Sequence, residues 1–148
     1  MRIAVVLLLA LGCKRELPAV VGKVELIAAL PRGDVARLVV PEVARAKRDG
    51  KHLIVYVGAD WCEPCRKFHA SVMAGELDRE LGDMRFLEFD LERDQTRLEA
   101  AGYTSEFIPL FALPRDDGRA SGKQTAGVKG EGGMVEQLVP RVRALAPL

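Results

Sequence analysis

The chain is poor in several things at once. Its 148 residues include three cysteines, Cys13, Cys62 and Cys65, and two histidines. One possible disulfide cannot replace a core, so a disulfide-stapled scaffold is excluded. The apolar run from Ile3 to Leu11 has nine residues, and spanning a bilayer takes ~20. The formal net charge is +1, so nothing suggests an electrostatic surface for nucleic acid. No internal repeat or low-complexity tract interrupts the chain. What is present, 49% hydrophobic and 29% charged residues, suits one soluble globular domain with room for a proper core.

The opening residues, MRIAVVLLLALGC, place one positive charge before the apolar run and small Gly12 after it. That is the layout of an export signal's hydrophobic region. With Cys13 directly behind it, the segment resembles a bacterial lipoprotein signal. The box carries Ala10 where that family more often has Leu. The resemblance implies removal of residues 1–12, lipid on Cys13, and a tether over residues 13–22 leading to a domain over 23–148. An ordinary signal peptide with an incidental cysteine is the alternative. Either way the chain is expected to be exported, to the periplasmic side of a bacterial cell envelope. Such a compartment is oxidising, and a thiol pair there can form or exchange a disulfide.

Along the domain, KVELIAAL (23–30) reads as a first strand, and VARLVV (35–40) as a short strand or the start of a helix. Pro41 suits the first position of a helix that Gly50 stops. HLIVYV (52–57) is a continuous apolar run, the pattern of a strand covered on both faces. A helix is expected from about Cys62 to Ala74, another turn or two over 76–81, and a strand over 84–91. Residues 92–102 read as a helix capped by Gly102, and 107–113 as a strand interrupted by Pro109. Asp117-Gly118 is a hairpin turn pair, with a returning edge strand over 123–128. Six of the 18 residues from Asp116 to Gly133 are glycine, so this stretch offers turns and little core. A last helix over 134–145 carries Met134, Leu138, Val142 and Leu145 on one stripe, with Pro140 set to kink it or shift its start. Phe86, Phe89, Phe107 and Phe111 are core candidates, and Glu99 and the other helical charges read as solvated faces. The alternation argues for an α/β fold, a central mixed β-sheet flanked by helices.

The stretch ADWCEPCRK (59–67) puts Cys62 where the buried strand gives way to a helix, with Cys65 one turn along. A helix N-terminus stabilises a thiolate, and three-residue spacing brings both sulfurs to one face. Cys62 is then the attacking or attacked sulfur and Cys65 the resolving one. VYVGADWCEPC resembles the active-site segment of the thioredoxin family: strand, Trp61, Cys62, Glu63, Pro64, Cys65, helix. Ile108-Pro109, 44 residues beyond Cys65, resembles that family's cis-proline, and AGVKGEGG its glycine-rich turn before the last helix. The resemblance implies a thioredoxin-like fold, no dissociable cofactor, a monomer, protein thiols and disulfides as substrates, and a redox partner protein. It also implies Pro109 and Ile108 as groove residues, with Trp61 either a groove wall or core.

Several positions depart from that pattern. Tyr56 stands where many thioredoxins carry a buried carboxylate, with Phe86 near the place of its lysine partner, and Leu110 follows the proline in place of Thr. Glu63 opposes ionisation of Cys62, while Arg66, Lys67 and the helix dipole favour it. Glu63 thus tilts the expectation toward a reductase. A metal-binding protein (Cu or Zn) built on Cys62, Cys65 and His69 is one alternative. A non-catalytic binding protein of the same fold is another.

Overall fold

A computed structural model describes residues 22–127 and 133–147. The export segment, Cys13, most of the tether and most of AGVKGEGG lie outside the described residues. The elements are β1 (Glu25–Ala28), α1 (Val35–Arg48), β2 (His52–Gly58), α2 (Glu63–Met73) and α3 (Asp78–Leu81). They continue with β3 (Met84–Asp90), α4 (Leu91–Ala100), β4 (Leu110–Pro114), β5 (Ala120–Ala126) and α5 (Met134–Arg143). The strands form one mixed sheet in the order β1-β3-β2-β4-β5. β1, β3 and β2 run parallel, whereas β4 is antiparallel to β2 and β5 to β4. Among the described residues no helix is long and apolar enough to cross a membrane.

The unbroken apolar run of β2 is explained by its place inside this sheet. Successive side chains alternate in direction, and each face has its own helices. Leu53, Val55 and Val57 join Leu87 and Phe89 of β3 in a core with Val35 and Val39 of α1 and Leu98 of α4. Ile54 and Tyr56 join Met84, Phe86, Phe111, Phe68 of α2 and Leu138 of α5 on the other face. At its centre the Phe68 ring meets Tyr56, Phe86 and Phe111 with centroids 5.0–5.2 Å apart, within the range of favourable ring pairs.

Four expectations are corrected. Residues 35–40 are the helical start that was one of the two readings, but Pro41 lies inside α1 and not at its first position. Asp34 is the true cap, its carboxylate accepting the Arg37 N–H at 2.9 Å, and the fully buried Val35 and Val39 anchor the helix before the proline. Burial of that stripe outweighs an interior proline, which costs about 3 kcal/mol. Phe107 is 40% exposed, because β4 begins only at Leu110, after the proline. Asp94 is fully buried where a solvated helical charge was expected. Finally, the residue across from Tyr56 in the β2–β3 register is Glu88, and Phe86 faces Ile54. Pro140 is carried within α5, exposed and off the buried stripe of Leu138 and Val142.

Candidate active site

β2 ends at Gly58, and the chain turns at once: the Cys62 N–H donates to the Ala59 carbonyl at 3.1 Å. Cys62 is the N-cap of α2, and its Sγ accepts the Cys65 N–H at 3.3 Å. Serine or aspartate oxygen usually fills this role; here a sulfur is held against the unpaired N–H groups of a helix start. Pro64 falls in the first turn, where its missing donor leaves no bond unmade. Cys62 and Cys65 are joined as a disulfide with Cα atoms 5.2 Å apart, an ordinary separation for one. Both are nearly buried, 4% and 2% exposed.

The Ile108-Pro109 bond is cis. Leu110, the next residue, pairs with Val57, so the proline stands beside the end of β2 from which the cysteine loop departs. Ile108 packs on the cluster that holds both cysteines. Gly127, the first glycine of AGVKGEGG, closes this corner. Its N–H donates to the Pro109 carbonyl at 2.8 Å, and a Cβ there would lie 2.7 Å from the Ile108 oxygen.

Trp61 is 60% exposed, and its indole N–H donates to Glu92 at the start of α4 at 3.1 Å. It is a surface platform beside Cys62 and no part of the core. Glu63 is exposed and paired with Lys67 at 2.8 Å, which holds its carboxyl below the usual range. The cation expected to favour the Cys62 thiolate is therefore engaged with the anion expected to oppose it, and the two largely offset. Arg66 donates to the Asp60 carbonyl at 2.9 Å.

On the inner side of Cys65 lies a cavity of about 510 Å³ whose wall includes Tyr56, Gly58, His69 and Glu88. His69 Nε2 sits 2.5 Å from a Glu88 carboxylate oxygen. That hydrogen bond raises the imidazole's pKa; partial burial works against it, and the charges of Glu88 and Asp60 add to the rise. The Tyr56 hydroxyl is fully buried and finds no hydrogen-bond partner among the described residues. Burial, with the nearby Glu88 charge, drives its pKa far up, so it is no base. A Cβ on Gly58 would lie 2.6 Å from that hydroxyl and 3.4 Å from Cys65 Cβ, so glycine at 58 lets the two side chains share the space. Glu88 carries no signal in the sequence, because it takes the β2–β3 register to set it beside Tyr56. Among the described residues no group of three His, Cys, Asp or Glu side chains is placed to hold a metal; His69 has a carboxylate partner in its stead.

No family model matches the chain. A thioredoxin H-type from Oryza sativa subsp. indica is 34% identical over 79 residues, 53% of this chain and 62% of that protein. The match thus spans less than two thirds of that curated relative. The fold is similar to the thioredoxin of Nicotiana alata, with a TM-score of 0.52 and 17% identity over 82% of this chain and 93% of that one. It is equally similar, at 0.52 and 20% identity over 81% and 94% of the two chains, to a structure of ferredoxin:thioredoxin reductase with thioredoxin f2. The mixed sheet, the cysteine pair at the head of α2 and the cis Ile108-Pro109 bond agree with these likenesses: the chain has a thioredoxin-like fold.

Proposed function

We propose that the protein is a thiol–disulfide oxidoreductase that reduces protein disulfides through Cys62 and Cys65. The observation that carries the exchange chemistry is the sulfur of Cys62 capping α2 and accepting the Cys65 N–H, with the partner sulfur at bonding distance. Such a pair passes two electrons to a substrate disulfide and recovers them from a partner protein's dithiol. A thioredoxin solved with its reductase supports a protein as that electron source. The test is insulin reduction by the full chain together with its reduction potential against glutathione. A potential near −270 mV is expected for a reductant; one near −120 mV would reverse the direction of the reaction.

The proposal includes a location, the periplasmic side of a bacterial envelope membrane with lipid on Cys13. Its support is the apolar run and the ALGC box. Cys13→Ala is expected to move the protein from the membrane to the soluble fraction without blocking export. Retention of the variant in membranes would remove the anchor.

A further inference from the structure

We propose that His69, held by Glu88, takes the proton of Cys65 in the step that resolves the mixed disulfide. The inference rests on the disulfide-exchange reading above. That step needs a buried thiol to ionise. An unperturbed thiol has a pKa of about 8.5, so in neutral solution it stays largely protonated unless a base is near. Tyr56, across the cavity, cannot serve. His69 follows Cys65 by four residues on α2, so both face the same way, and both line the one cavity. The cavity is polar and has room for water, which connects the sulfur and the imidazole. Tyr56 lines the same space.

Glu88 orients the imidazole and favours its protonated form, the arrangement of a base steadied by a carboxylate. The remaining charges on the wall divide. Asp60, before α2, and Asp90, at the end of β3, favour the imidazolium; Arg66 of α2 and Arg93 of α4 oppose it. Glu88 is the one in hydrogen-bond contact.

The step balances as follows. The Cys62 thiolate first attacks a substrate disulfide, and one substrate sulfur leaves as a thiolate. The Cys65 thiol then passes its proton through cavity water to His69. Its sulfur bonds Cys62 Sγ, and the bond from Cys62 to the second substrate sulfur breaks, releasing another thiolate. The cysteine pair is oxidised by two electrons, and the substrate disulfide becomes two thiols once solvent supplies protons. Re-reduction by a partner's dithiol returns the proton from His69 to Cys65.

The test is stopped-flow reaction of the reduced full chain with dithiobis-nitrobenzoate. Release of the first thionitrobenzoate is second order and reports Cys62; release of the second is first order and reports Cys65. The second phase is expected to accelerate as pH rises through the ionisation of His69. His69→Gln, which keeps a donor for Glu88, is expected to slow it about 100-fold at neutral pH, the low end for a positioned base. Its pH dependence should move up to that of a thiol, with the first phase unchanged. Glu88→Gln is expected to shift the wild-type inflection to lower pH, because the group that raises it is gone. A His69→Gln second phase with wild-type rate and pH dependence overturns the proposal and leaves disulfide exchange standing. So does a wild-type profile that follows thiol ionisation alone. A wild type that releases no second thionitrobenzoate and reduces no insulin overturns the underlying reading.

Discussion

Cys65→Ser is expected to accumulate a covalent disulfide between the protein and its substrate, and Cys62→Ser to form none, with turnover abolished in both. The asymmetry follows from where α2 starts. Cys62 is outside the first turn, with its sulfur accepting the Cys65 N–H, and Cys65 lies one turn deeper beside the inner cavity. A helix terminus contributes up to ~2 kcal/mol to a charge in favourable, partly buried geometry. The helix start therefore favours a thiolate at Cys62 over one at Cys65, and the capping sulfur attacks first. Non-reducing electrophoresis and intact-mass measurement after mixing with oxidised insulin read the adduct directly. An adduct in Cys62→Ser and none in Cys65→Ser would invert the assigned roles.

Asp94→Ala is expected to destabilise the fold by about 3 kcal/mol, the lower end for removing one partner of a buried ion pair. The Asp94 side chain has no exposure and accepts from both Arg93 and Arg97, at 2.8 Å each. It also receives the Asp90 N–H at 3.0 Å, closing the turn from β3 into α4. Arg97 reaches on to the carbonyls of Leu30 and Gly33, so one carboxylate ties the β1–α1 loop to α4. The cost stays near the lower end because Arg93 is 46% exposed and can be rehydrated. Thermal unfolding should register a fall of about 10 °C, given the entropy of unfolding of a domain this size. Burial alone would raise the Asp94 carboxyl, yet the two guanidiniums and the Asp90 N–H overcome it and hold the pKa down. The stabilisation is therefore complete above the unfolded value of about 3.9 and lost as pH falls through the lowered folded one. The gap between wild type and Asp94→Ala should close in acid. A gap that stays constant down to pH 2 would mean the carboxylate's charge is not what stabilises this corner.

What the sequence made legible is what local chemistry decides. The apolar run of β2 and the Asp117-Gly118 turn each depend on residues within a few positions. The cysteine pair and Ile108-Pro109 were legible because residue types at fixed spacing identify them. Missing were features made by residues far apart. Pro41 reads as a helix start until Asp34 is seen capping the chain seven residues earlier. Asp94 reads as a solvated charge, since the loop carbonyls that hold Arg97 over it come from more than 60 residues away. His69 was visible at helical spacing from Cys65, but its partner depends on the alignment of β2 with β3, which no short window contains. Phe107 reads as core only if alternation is extended through Pro109, and the strand begins after that proline.

The single tryptophan has a further consequence. Trp61 adjoins Cys62 in the chain, is largely open to solvent, and is fastened to Glu92 through its indole N–H. All indole emission from this protein therefore originates at one point beside the sulfur pair, with no background from elsewhere to subtract. The chain carries its own optical gauge, and the oxidation state of the pair can be followed in unlabelled protein by fluorescence.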